Sequence, residues 1–323
     1  MSYYIIKLKV LLELLWRYFK LILPLAVSAT IIGWLVLNLD FKAIRDALSG
    51  ASLLALFLAL TLSLFSNFYL GPTRLKLLTE KAGKRLSLKE SAVVILGNEP
   101  ITFFVPMKGG DFLTALYLKF QKNFTLPQGV FIILADKTAS LFAVTIFFLL
   151  GALAIEDFFL ALFSLALLFP LALLYFTPAQ FIKPFSALVS AVSRRIGGAL
   201  LDSENQFFQA TLREKIAFLF IALAFFFCEI AGGFIILRDL GIPAEFGAVV
   251  CVLSGMIVVS ALPVSVAGLG IREITLISFF AGNADREKAL AGSLTIFTLF
   301  YLFPALIGLA FTSKFLRGII GGR

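Results

Sequence analysis

The sequence predicts an all-α, polytopic integral membrane protein. About eight membrane helices and two Pro/Gly-broken re-entrant hairpins are expected, in an inverted repeat within one transmembrane domain, 1–323. Three observations carry this reading. The chain is 60% hydrophobic with mean hydropathy +1.02, outside the range of soluble domains. Apolar runs near the ~20 residues that cross ~30 Å of hydrocarbon recur along it. Two segments break such runs in the same order, with proline, then glycine, then charge. One is Phe103-Phe104-Val105-Pro106-Met107-Lys108-Gly109-Gly110-Asp111. The other runs from Ala261-Leu262-Pro263 to Gly268-Leu269-Gly270-Ile271-Arg272-Glu273. Proline removes a backbone donor and glycine admits non-helical angles, so Pro106 and Pro263 mark hairpin breaks. Broken backbone at membrane depth is tolerated where it packs in protein or lines a wet cavity.

The elements follow in order. Residues 1–20 place Leu8, Leu11, Leu12, Leu15 and Phe19 against Lys7, Lys9, Arg17 and Lys20 at helical spacing, an interfacial helix. A cleaved signal peptide is the alternative, opposed by the apolar run continuing to Leu39. Spans are expected at 21–39, 51–70, 129–154, 157–176, 216–237 and 290–312, with the broken regions at 91–118 and 246–281. Ser87-Leu88-Lys89-Glu90 is a capping box opening the first break. Residues 180–215 read as a basic amphipathic linker on the cytoplasmic surface. Cys228 and Cys251 lie in apolar runs and read as small core residues.

Loop charge sets the orientation. Residues 71–90 hold Arg74, Lys76, Lys81, Lys84, Arg85 and Lys89 against Glu80 and Glu90, and are expected inside. So are 177–215 and both termini, in the cytoplasmic membrane of a prokaryote. The first repeat, 51–154, then descends, makes its hairpin from the cytoplasm and rises. The second, 216–312, does the reverse. If either hairpin spans fully, the parity changes. Paired breaks meeting near the midplane are the arrangement of alternating-access transporters.

Charges inside the apolar runs mark the candidate site. Asp136, Lys137 and Glu229 lie within spans, where an ion demands a partner or water. The expected substrate-binding set is Lys108, Gly109, Gly110, Asp111, Asp136, Lys137, Gly268, Gly270, Arg272 and Glu273. Its bases and glycine-rich amides suit a phosphate or carboxylate. Asp111, Asp136 and Glu273 are expected to hold those bases when the site is empty. Glu229 and Glu99 are candidate coupling or structural charges. A purely structural reading stays open: the ions lock helices together, and Lys108–Asp111 and Arg272–Glu273 cap hairpins. Asn98 and Glu99, before Pro100, read either as a polar kink or as a hairpin tip. With no histidine in the chain and no clustered ligand set, no metal or organic cofactor is expected.

The Leu262-Pro263 and Gly268-Leu269-Gly270-Ile271-Arg272-Glu273 stretch resembles a late signature of the lysylphosphatidylglycerol synthase transmembrane (flippase-like) family. Pro106-Met107-Lys108-Gly109-Gly110-Asp111 resembles its first signature, with Asp111 where Glu is usual and Thr114 where Arg is usual. Asp136-Lys137 resembles a following Glu-Arg, with Ser140 where Asp is usual. The resemblance implies a helical membrane domain that moves lipids between leaflets. It is fused in some members to a soluble synthase domain that has no counterpart here, so no enzymatic activity is expected.

The leading functional expectation is a flippase-like transporter for an anionic or phospho-headgroup lipid. An ion-coupled small-solute permease and a membrane-embedded lipid or glycan transferase are the alternatives. Membrane lipids are the expected partners and nucleic acid is not. The net charge of +9 is explained by bases facing anionic lipid. A homo-oligomer is left open.

Overall fold

A computed structural model of the chain describes residues 42, 46, 49–104, 110–177, 211–260, 270–281 and 285–320. The expected interfacial helix at 1–20, the span at 21–39 and residues 180–210 of the linker lie outside the described residues. So do Pro106 and Pro263 themselves.

The described chain is helical throughout its ordered elements. In order these are α1 (Leu53–Lys81), α2 (Leu88–Phe104), α3 (Gly110–Lys122), α4 (Leu126–Ala154), α5 (Phe158–Phe176), α6 (Leu212–Asp239), α7 (Phe246–Ser260), α8 (Ile271–Phe279) and α9 (Arg286–Ile320). Five of them, α1, α4, α5, α6 and α9, are long and apolar enough to cross a membrane. The helices on either side of the two proline–glycine segments are shorter, at 17 and 13 residues for α2 and α3 and 15 and 9 for α7 and α8.

Local chemistry sets the boundaries. Thr125 and Gln128 close a reciprocal capping box on α4, and Thr211 and Glu214 close one on α6. Residues 211–215, assigned by sequence to the linker, therefore belong to the span. The Asp157 carboxylate accepts from Leu160 N–H at 2.9 Å to start α5. α1 and α6 end in twin turns. Gly83 (φ 84°) and Gly241 (φ 73°) each donate back into the last turn, and the next residue's N–H reaches a carbonyl five positions back. Glycine takes this left-handed conformation without a Cβ clash.

α1 extends beyond the expected end at residue 70. A π turn at Ser66–Leu70 carries the helix into Gly71-Pro72, and a second at Thr298–Leu302 carries α9 into Phe303-Pro304. Proline clashes with the carbonyl four residues back, here Phe68 and Phe300, each inside its π turn. A widened turn relieves that clash, so neither proline stops its helix. Ser63 Oγ donates to the Leu299 carbonyl at 2.6 Å, joining the two widened regions.

The helices pack as exchanged pairs. α1 and α6 run antiparallel and are tied at both ends. Ser52 N–H and Oγ donate to the Asp239 carboxylate at 2.6 and 2.7 Å, and Lys81 pairs with Glu214. α2 packs on α9 and α7 on α4. Glycines permit both contacts. A Cβ on Gly97 would meet the Phe311 carbonyl oxygen at 3.0 Å, and one on Gly151 would meet Cys251 Cα at 2.5 Å. Close backbone approach of this kind is how membrane helices gain contact without a hydrophobic driving force. Cys228 and Cys251 are buried and free. α5 packs on the outside of α4, with Phe158, Phe159 and Phe169 exposed, a face suited to lipid.

Candidate functional site

Polar side chains collect on the inner faces of these helices in two groups. The first joins α1, α3 and α4. Arg74 is only 5% exposed, although the sequence places it among loop bases. The helical continuation past Pro72 carries it inward. Its Nη2 lies 2.6 Å from Asp136 Oδ1, donates to the Asp136 carbonyl at 3.0 Å and contacts Ser140 Oγ. Phe218 and Phe225 rings lie 5.8 and 5.5 Å from its guanidinium carbon. Asp136 is therefore held by Arg74, not by one of the three expected bases.

Lys137, the next residue, points elsewhere because successive helical positions are turned by ~100°. Its Nζ pairs with Asp111 Oδ2 at 3.1 Å, linking α4 to the first turn of α3. The Lys137 side chain keeps 41% of its exposure. Gly110 beside it serves packing, since a Cβ there would meet Thr102 N at 2.8 Å on the facing arm.

The second group joins α6, α8 and α9. Arg272 is buried. Its guanidinium carbon lies 3.7 Å from the Tyr301 ring centroid, and its Nε donates to Ser260 Oγ at 3.2 Å. Tyr301 Oη lies 3.5 Å from Glu229 Oε2. Glu273 does not pair with Arg272. It accepts from Gly270 N–H at 2.6 Å and caps its own helix, where Gly270 has φ 87°. Glu229, Arg272, Ser293 and Tyr301 line a small cavity, otherwise walled by apolar residues.

Glu99 stands between the groups, within electrostatic reach of Lys137, Glu229 and Tyr301. Asn98 and Glu99 lie within α2, which continues through Pro100 to Phe104, so they do not form the hairpin tip. Lys108, Gly109 and Gly268 fall outside the described residues.

Sequence reasoning missed Arg74, Tyr301 and Ser293. One signal was present for Tyr301: Phe68-Tyr69-Leu70-Gly71-Pro72 recurs as Phe300-Tyr301-Leu302-Phe303-Pro304.

The family model for the lysylphosphatidylglycerol synthase TM region matches residues 21–308. The chain belongs to this family. The match covers every described residue of the two polar groups and both proline–glycine segments. It agrees with the apolar helices in making the chain an integral membrane protein with a lipid-related role. Among curated proteins nothing matches the chain.

Proposed function

We propose that this membrane domain moves a lipid with an anionic or phosphate-bearing headgroup between leaflets. The observation that carries the reading is Lys137. Its ammonium sits about 17 Å along a 29-residue apolar helix, by a rise of ~1.5 Å per residue, yet the side chain keeps 41% exposure. A charge at that depth needs a partner or water, and an ion pair left partly open suits a headgroup more than a closed structural lock. The tails would stay in hydrocarbon while the headgroup follows Lys137, Arg272 and Lys108.

The packing supports an inverted repeat. In it α1, the α2–α3 hairpin and α4 correspond to α6, the α7–α8 hairpin and α9. The twin Gly83 and Gly241 turns, the antiparallel α1–α6 pair and the exchanged α2–α9 and α7–α4 contacts are what a two-fold axis in the membrane plane produces. The hairpins are read as re-entrant, the termini as cytoplasmic and the host as a prokaryotic cell membrane. On this reading the domain transports and does no transfer chemistry of its own, and the chain has no histidine to serve as a general base.

Reconstituted vesicles test the function. Fluorescent anionic phospholipid in the inner leaflet should become accessible to an external quencher at a protein-dependent rate. Lys137→Ala and Arg272→Ala should each lower that rate at least about tenfold, the cost of one lost charged hydrogen bond. Folded variants that move the lipid at the wild-type rate would overturn the reading. Uptake of a small anionic solute instead of lipid would favour a permease. Cysteine labelling should find the 82–87 and 240–245 turns on opposite sides of the membrane.

A further inference from the structure

Beside Arg272, the cavity between α6, α7, α8 and α9 holds Glu229 and Ser293, which the headgroup path leaves unused. Glu229 enters it from α6, buried, with only the long contact from Tyr301 Oη at 3.5 Å as a described hydrogen bond. Arg272 enters from α8 with Nη1 buried and unpartnered among the described residues. Ser293 enters from α9 with a buried, unpartnered hydroxyl. The space open to the centres of water molecules is about 30 Å³. That holds about two waters, and Arg272 Nη1, Ser293 Oγ and the Glu229 carboxylate are the partners such waters need.

We propose that Glu229 is a proton-binding site whose charge decides whether Arg272 is free to take the anionic headgroup, so that each lipid bound brings one proton with it. The inference rests on the lipid-transport reading above. Ionised Glu229 neutralises Arg272 across the cavity. Adding an anion to that neutral pair would leave a net negative charge in a water-poor site, which is costly. A proton taken from water onto the Glu229 carboxylate removes the excess.

The surroundings fit this role. Glu229 lies within electrostatic reach of Arg272, Glu99 of α2 and Arg74 of α1, with Tyr301 of α9 beside it. Arg74 is already held by Asp136, and the Glu99 carboxyl is a further neighbour of Glu229. The cavity's α7 wall, Leu253, Met256 and Ile257, contributes no ionisable group. The α1 segment 53–65 has none in its sequence. On α4, Asp136 and Lys137 are paired to Arg74 and Asp111.

Dihexanoyl phosphatidylglycerol is a suitable probe, since its single charge does not titrate near neutral pH. It is added to the purified full chain in weakly buffered detergent with a pH-indicator dye. Binding is measured in parallel by calorimetry. The wild type should take up about one proton per lipid, and its apparent Kd should fall about tenfold per unit drop in pH while Glu229 is ionised. Glu229→Gln should bind without proton uptake and with a pH-independent Kd, its fold checked by circular dichroism. Lipid binding by the wild type without proton uptake would overturn the inference alone. So would a Glu229→Gln variant that keeps the pH slope. No binding by the wild type at any pH would overturn the transport reading and this inference with it. If Glu229→Gln does not fold, the wild-type proton count and pH slope still decide the matter.

Discussion

Arg74 and Asp136 are 62 positions apart, and Arg74 Nη2 lies within hydrogen-bond distance of both the carboxylate and the main-chain carbonyl of Asp136. One guanidinium thus fixes both the side chain and the backbone of α4 at the residue that precedes Lys137. The clamp holds the backbone from which Lys137 projects, and Asp111 holds its ammonium.

Removing one partner should therefore be expensive. Arg74→Ala leaves the Asp136 carboxylate without its cation inside the bundle, and loss of one member of a buried pair costs about 3–5 kcal/mol. A lowered thermal midpoint in detergent would report it. The double variant Arg74→Met, Asp136→Leu should recover most of the stability, because it removes both charges together. A single variant as stable as wild type would show that the pair carries no structural weight.

The exchanged helix contacts depend on missing side chains. At Gly151 a Cβ would meet Cys251 Cα at 2.5 Å, and backbone cannot step aside as a side-chain tip can. Gly151→Val should cost about 1–3 kcal/mol or more through overpacking. Gly83→Ala meets no atom within 4 Å, and its cost comes from the left-handed backbone alone, about 1 kcal/mol. Equal midpoints for these two variants would contradict the packing described.

The cytoplasm-expected end offers a pH test outside the candidate spans. Glu90 accepts from Lys122 Nζ at 2.7 Å and from Ser87 N–H at 2.8 Å. The Lys122 hydrogen bond, followed by the Ser87 backbone bond, holds its carboxyl below the usual value of 4.5. A depressed folded-state value means the contribution is present above 4.5 and is lost as pH falls through the folded-state value. The pair is half exposed, so the contribution is small, under about 1 kcal/mol. The midpoint gap between wild type and Glu90→Gln should be open at neutral pH and close below pH 4.5. A gap that widens on acidification would refute it.

Much of this was legible in the sequence because it rests on local rules. Hydropathy marks the long spans, and the Ser87–Glu90 capping box marks the start of α2. What was not legible depends on neighbours. Gly71-Pro72 looks like a terminus unless the preceding turn widens, and that choice is stabilised by contacts such as Ser63 with Leu299. The misread terminus made Arg74 a loop base and hid its clamp on Asp136. Arg272-Glu273 looks like an ion pair in sequence, but adjacent helical residues diverge, and each found a partner in another direction.

Asp111 and Lys137 allow lock and binding site to be separated. If the 3.1 Å pair only ties α3 to α4, its energy depends on opposite charges and not on which helix carries which. The exchange Asp111→Lys, Lys137→Asp should then restore whatever stability Lys137→Asp alone removes, a recovery of about 1 kcal/mol for a partly exposed pair. Stability and lipid movement should part at this point. On the transport reading the ammonium must stand at position 137, midway along α4, with its 41% exposure available to the headgroup. Moving it to the first turn of α3 displaces the charge from that surface. The exchanged protein should melt close to wild type and still move anionic lipid at least about tenfold more slowly, since a misplaced charge forfeits a charged contact. Vesicle assays beside detergent melting curves read the two quantities independently. Recovery of both stability and transport would make the pair a lock and remove Lys137 from the headgroup path.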